Sequence, residues 1–136
     1  MDILKYSIAG LPYFALYLAA TFALLALFLF VYVRITPYRE IALIRDGNTA
    51  AAASLSGSML GFAIPLANAV VQSASIADMV MWGAIALIVQ LLVFFVVTRI
   101  IPDIARGIPE GKVAQGVFLG ALSTVTGILN AACITY

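Results

Sequence analysis

The sequence predicts an all-α integral membrane protein, with four transmembrane helices built as two like-oriented helix–loop–helix repeats. Three observations carry this reading: the chain is too apolar for a soluble core, its few charges separate four long uncharged runs, and its second half echoes its first. Of 136 residues, 65% are hydrophobic and 10% charged, against roughly 45–50% and about 25% in soluble domains. The formal net charge of +1 gives no reason to expect nucleic acid as a partner. Membrane lipid is the solvent that this composition calls for, and a chain of this size forms one domain, residues 1–136.

The uncharged runs are Tyr6 to Val33 with 28 residues, Gly47 to Ala77 with 31, Met79 to Thr98 with 20 and Val113 to Tyr136 with 24. Crossing about 30 Å of hydrocarbon at about 1.5 Å per residue takes about 20 residues. Lipid offers the backbone no hydrogen bonds, so runs of this length must be helices. The spans are predicted at Pro12–Val33, Thr49–Val71, Met79–Thr98 and Val113–Ile134. The first run exceeds the apolar core of a cleaved signal peptide and no polar mature segment follows it, so it is expected to be retained.

Six of the seven basic residues fall in two places. Arg34, Arg39 and Arg45 separate the first two spans, while Arg99, Arg106 and Lys112 separate the last two. The positive-inside rule makes both connections cytoplasmic and puts both termini, with the short Ser73–Asp78 connection, on the periplasmic side. Tyr6, Tyr13, Tyr38, Trp82 and Tyr136 fall near the expected interfaces, where an aromatic belt belongs.

The repeat is visible at the ends of the odd-numbered spans. Phe30-Val31-Tyr32-Val33-Arg34-Ile35-Thr36-Pro37 and Phe95-Val96-Val97-Thr98-Arg99-Ile100-Ile101-Pro102 are identical at five of eight positions. Asp46-Gly47 and Glu110-Gly111 then precede the even-numbered spans. Each unit of two spans returns the chain to its starting side, so the copies, about residues 6–73 and 74–136, share one orientation.

The first and third spans are rich in Leu, Phe and Val, as suits lipid exposure. At about 100° per residue, Ala50, Ser54, Gly57, Gly61, Asn68 and Gln72 share one face of the second span. Leu55, Met59, Phe62 and Leu66 fall opposite, where Leu66 is expected to tolerate truncation. In the fourth, Gly116, Gly120, Ser123, Gly127 and Asn130 share a face against Phe118, Leu122, Val125 and Leu129. Small residues four apart let membrane helices approach closely, so both small faces are expected to meet protein. A shift of 62 residues places Ser54 on Gly116, Ser58 on Gly120, Gly61 on Ser123, Pro65 on Gly127 and Asn68 on Asn130. The paired amides admit two readings, bonds between helices or the lining of a small polar path.

Other polar residues have local expectations. Ser75 and Asp78 read as a capping box opening the third span. Pro37–Asp46, with Thr36 as N-cap and Gly47 as stop signal, reads as a short interfacial helix laying Tyr38, Ile41 and Ile44 against lipid. Asp46 and Glu110 suit the positive ends of the helices they precede. Cys133 is expected to be buried as a small hydrophobe, and Gln90 and Gln115 suggest no role. With no His, one Cys and no charge inside any predicted span, no catalytic, metal-binding or cofactor-binding residue is expected.

Several local strings together resemble the YjfL-type bacterial inner membrane proteins. They are Ile35-Thr36-Pro37, Leu43-Ile44 followed by Asn48-Thr49-Ala50-Ala51, Gly61 with Ile64-Pro65-Leu66, Trp82-Gly83 with Ile85-Ala86-Leu87, Gln90-Leu91-Leu92-Val93-Phe94, and Asn130-Ala131-Ala132-Cys133. The resemblance spans nearly the whole chain. It implies a bacterial cytoplasmic membrane location and a duplicated two-helix unit, and it carries no catalytic residue over.

Two functions are therefore expected. In the first, a non-enzymatic scaffold subunit packs with its own copies or another membrane protein and presents its basic loops to a peripheral partner or anionic lipid. In the second, an oligomeric channel or carrier is lined by Asn68 and Asn130. The charge distribution yields a direct test of topology. A reporter active only in the periplasm is expected to work when fused after Tyr136 and to fail when inserted near Arg39 or Arg106; the reverse pattern would invert the orientation.

Overall fold

The computed structural model describes residues 2–134 and is helical throughout, with no strand among them. Helix α1 (Asp2–Ala9) meets α2 (Leu11–Ile35) at Gly10, with Pro12 in the first turn of α2, where its missing N–H costs nothing. The chain continues through α3 (Glu40–Arg45), α4 (Thr49–Gln72), α5 (Ile76–Ile100), α6 (Asp103–Gly107) and α7 (Val113–Cys133). Four stretches are long and apolar enough to cross a membrane: Asp2–Ile35, Thr49–Gln72, Ile76–Ile100 and Val113–Cys133. These agree with the predicted spans to within a turn or so, except that α1 prolongs the first to 34 residues. Tyr136, placed at an interface by sequence, lies outside the described residues.

The most extensive helix pair is α4 with α7. Gly57, Gly61, Gly116, Gly120 and Gly127 are buried on it. A Cβ added at Gly57 would strike the Gly120 backbone, one at Gly116 the Ala50 backbone, and one at Gly127 the Gly61 backbone. Main chain therefore lies directly on main chain, the geometry that lets dispersion hold helices together where lipid competes for every apolar side chain. Pro65, buried inside α4, has no N–H for the Gly61 carbonyl four residues earlier. That carbonyl instead faces the Gly127 backbone.

The opposite face of α4 corrects the expectation that Leu66 tolerates truncation. Leu55, Phe62 and Leu66 are buried at 5%, 0% and 5% exposure, because α2 and α5 pack on that side. Phe28 of α2 stacks on Phe62 at 4.6 Å with 5° between the rings, and Tyr32 meets Phe94 of α5 edge-on at 5.7 Å. Helix α4 is thus central, packed by protein on two sides, and a stripe through Ser56, Leu60, Ala63, Ala67 and Val71 stays exposed. By contrast Phe118, Val125 and Leu129 of α7 face outward. The outer half of α2 stands away from α4, leaving an open apolar groove of about 670 Å³ between Tyr13, Tyr17, Phe22, Leu66 and Val70.

Both basic connections close in the same way. Gly47 has φ 87°, and its N–H bonds the Ile44 carbonyl while the Asn48 N–H reaches back to Leu43. Gly111 has φ 82°, and its N–H bonds Ile108 while Lys112 reaches back to Gly107. Each is a Schellman closure needing a left-handed residue, which Gly supplies without a Cβ penalty. Asn48 then caps α4 by accepting from the Ala51 N–H at 2.9 Å. Its amide group donates across to the Ile108 and Pro109 carbonyls at 3.0 and 3.3 Å, tying the two connections together. On the far side, Ser75 caps α5 by accepting from Asp78 N–H, as the capping box predicts.

The seam can be tested by substitution. Gly57→Leu or Gly120→Leu is expected to reduce the folded, monodisperse yield in mild detergent, and Leu66→Ala to lower thermal stability by about 1–3 kcal/mol through the cavity it leaves. Val125→Ala on the exposed face of α7 is expected to change little. Equal yields for the glycine variants and Val125→Ala would mean that the backbones do not approach this closely.

A buried polar chain between the four spans

The small face of α4 holds a second kind of residue, the hydroxyl. Ser54 and Ser58 are both fully buried, and Ser123 of α7 is 2% exposed. Ser58 Oγ lies 2.9 Å from the Tyr32 hydroxyl and 3.4 Å from Ser123 Oγ. From α5, the Gln90 amide donates to the Ser123 carbonyl at 3.0 Å. One polar chain thus joins all four spans, in the order Gln90, Ser123, Ser58, Tyr32. Nearby, Thr124 Oγ1 donates to the Gly57 carbonyl at 3.1 Å.

This corrects the reading of Gln90 as a residue without a role. It is 1% exposed and binds the α7 main chain. An acceptor on the backbone leaves no trace in sequence, so the pairing was not legible. Gln115 is half-buried, and its side chain lies against Gly107. Cys133, expected to be buried, is exposed.

The amides fall at the end away from the basic connections. Asn68 Nδ2 donates to the Ala131 carbonyl at 2.8 Å, spanning the α4–α7 seam. Asn130 Nδ2 is buried without a hydrogen-bond partner. The structure thus brings Gly57, Gly61 and Asn68 to the face of α4 that meets Gly116, Gly120, Ser123 and Gly127, and places Ser54 beside Tyr32 and Tyr38 instead. It does not pair the two amides with each other.

At the basic end the chain continues into the α2–α4 connection, where the largest departure from expectation lies. Thr36 ends α2 instead of opening the next helix, and donates weakly to the Val33 and Tyr38 carbonyls. The short helix begins only at Glu40, preceded by Arg39. Tyr38 is 8% exposed and Glu40 1%, so both point inward, while Ile41 is 54% exposed. The signal was present: Glu40, Leu43 and Ile44 share a helical face at i, i+3 and i+4.

Glu40, Tyr38, Tyr32 and Ser54 lie beside one another under this connection. Neither carboxyl oxygen of Glu40, nor the Tyr38 hydroxyl, nor Ser54 Oγ has a partner in hydrogen-bond geometry. No basic side chain pairs with Glu40; among the described residues the ion pairs are Arg106 with Asp103 and Lys112 with Glu110, all exposed. Burial pushes the Glu40 carboxyl up to about 7, and the nearby Thr36 hydroxyl, which its charged form would attract, opposes the shift. Burial first, and then the Glu40 charge, also push the Tyr38 phenol up. The cluster is made of oxygen groups that exchange protons or accept a small cation; no group of three or more His, Cys, Asp or Glu suited to a metal occurs among the described residues.

Comparison with known proteins gives one consistent family. The family model described as Domain of Unknown Function (DUF350) matches residues 6–134. The UPF0719 inner membrane protein YjfL of Escherichia coli K12 is 42% identical over 123 residues, covering 90% of this chain and 93% of the relative. The UPF0719 transmembrane protein YshE of Bacillus subtilis 168 is 30% identical over 88 residues, covering 65% and 66%. No solved structure matches the chain.

The polar chain makes a stability prediction. Gln90→Leu and Ser58→Ala are each expected to lower thermal stability in detergent by about 0.6–1.7 kcal/mol, the range for hydrogen bonds between membrane helices. Ile88→Val, on the exposed face of α5, is the control. If neither polar variant differs from that control, the bonds contribute nothing to holding the spans.

Proposed function

The chain belongs to the DUF350 family, with UPF0719 inner membrane relatives, and from that premise we propose that this multi-pass inner membrane protein is a non-enzymatic scaffold subunit. The observation that carries the reading is the closed α4–α7 seam. Glycine faces bring main chain onto main chain, and the Asn68 amide is engaged with the Ala131 carbonyl. A seam of this kind leaves a single copy no aqueous path along its small-residue face. The outward sides of α2, α5 and α7 are apolar, with Phe22, Leu27, Phe30, Leu92 and Leu129 among their exposed residues. Such surfaces suit lipid, copies of the same chain or another membrane protein.

The basic end supplies the second half of the reading. Arg34, Arg39, Arg45, Arg99, Arg106 and Lys112 are exposed there, and on a cytoplasmic face they would meet anionic lipid or an acidic peripheral partner. The cytoplasmic placement rests on the positive-inside rule. The matching Schellman closures at Gly47 and Gly111 support descent of the two halves from one duplicated, like-oriented hairpin. The non-enzymatic part rests on a sequence without His and without charge inside the four spans predicted from it.

One observation favours the runner-up, an oligomeric channel or carrier: Asn130 Nδ2 is buried and unpartnered. Reconstitution separates the two. For a scaffold, Asn68→Leu and Asn130→Leu lower stability by about 0.5–2 kcal/mol, and solute flux stays at the level of empty liposomes. Flux present in the wild type and abolished in folded Asn68→Leu would replace the scaffold with a conduit.

A further inference from the structure

A buried carboxyl group in a bundle held together by weak forces calls for a reason. Glu40 is 1% exposed on a helix of six residues, and both its oxygens lack a hydrogen-bond partner. Buried carboxylates are stable when they face a basic group or a metal; otherwise they take up a proton. The ionisable groups beside Glu40 are Tyr32 from α2 and Tyr38 from the connecting turn. Helix α4 contributes Ser54 and has no ionisable side chain, while Arg34, Arg39 and Arg45 are all exposed and pair with no carboxylate among the described residues.

The fold itself does not require an acid here. With Pro37 laid on Pro102, Glu40 corresponds to Ala105. The second connection reaches the same Schellman closure with Ile104 and Ile108 buried beneath it, and its acids Asp103 and Glu110 lie in exposed ion pairs. An apolar filling thus closes one connection, while a carboxyl and two phenols fill the other.

We propose that Glu40 is a proton-binding site whose occupancy decides whether the Thr36–Asp46 segment stays docked on α4. With the proton bound, the carboxyl is neutral and its hydroxyl donates to the oxygens around it. Without the proton, a bare charge is left beneath the segment, and release into water becomes the favourable way to hydrate it. The sign follows from linkage. The docked carboxyl holds its proton up to about 7, against 4.5 for an ordinary one. Docking is therefore strongest below the ordinary value and weakens as pH rises towards the docked one, roughly tenfold per pH unit across that window. This holds whether the protein is scaffold or conduit.

The test uses the full chain in lipid nanodiscs. Infrared difference spectra between about pH 5 and 9 are expected to show a protonated-carboxyl band with a midpoint near neutrality, absent from Glu40→Gln. Hydrogen exchange of the peptide covering residues 36–48 is expected to accelerate with pH in the wild type beyond its rate in Glu40→Gln at the same pH, since the amide mimics the neutral acid. If Glu40→Gln does not fold, Thr36→Val serves instead, and its midpoint is expected to lie higher because the opposing hydroxyl is gone. No Glu40-dependent band in this range, or equal exchange in both proteins at every pH, overturns the proposal. So does protection of the segment that follows sodium concentration at fixed pH, which would make the site one for a metal cation.

Discussion

Everything in this bundle depends on how closely two backbones approach. In water, α4 and α7 would be driven together by the apolar surface they hide; in lipid that drive vanishes, because a leucine is as content against an acyl chain as against another leucine. What remains is contact density, and the glycine faces raise it by bringing main chain onto main chain at Gly57, Gly116, Gly120 and Gly127. A side chain at any of these places would separate the helices and forfeit the contacts along a whole stretch. The seam is accordingly the part of the molecule least able to accept added volume.

The other spans are arranged around that seam. Because α7 covers one face of α4, the face opposite receives α2 and α5 through Phe28, Phe62 and Phe94. The aromatic layer lies towards the basic end of α2, whose buried residues are Leu24, Phe28 and Tyr32. Beyond it α2 and α1 run on with little protein against them. The bundle is thus tight where the connections are tied by Asn48 and open at the opposite end, where the groove between α2 and α4 lies.

Much of this was legible in the sequence, for identifiable reasons. Span limits follow from where charge stops and starts, and the Ser75 cap and the Gly47 stop follow from local backbone chemistry. The small faces of α4 and α7 follow from helical periodicity. What was not legible depends on bundle order or on main-chain acceptors. Leu55 and Leu66 point away from the small face, yet nothing in their spacing says that two further helices wait there. Gln90 binds a backbone carbonyl, an acceptor that every residue carries. The burial of Glu40 was not legible, because a helix of six residues offers too short a period to set against the usual exposure of a charged residue near an interface.

The polar chain gives the bundle what close packing alone does not supply, which is register. Helices with small faces can slide or rotate against each other at modest cost, since one small residue replaces another in the contact. A shift of α7 by a single residue would take Ser123 from Ser58 and Gln90 together, and would move Asn68 off the Ala131 carbonyl. Each bond is worth only about 0.6 kcal/mol on average, yet the three fail together, and the buried groups they leave cannot turn to water. The misaligned state is thereby penalised more than the aligned one is stabilised. Glycine thus fixes how near the helices come, and Ser58, Gln90 and Asn68 fix where along their length they meet.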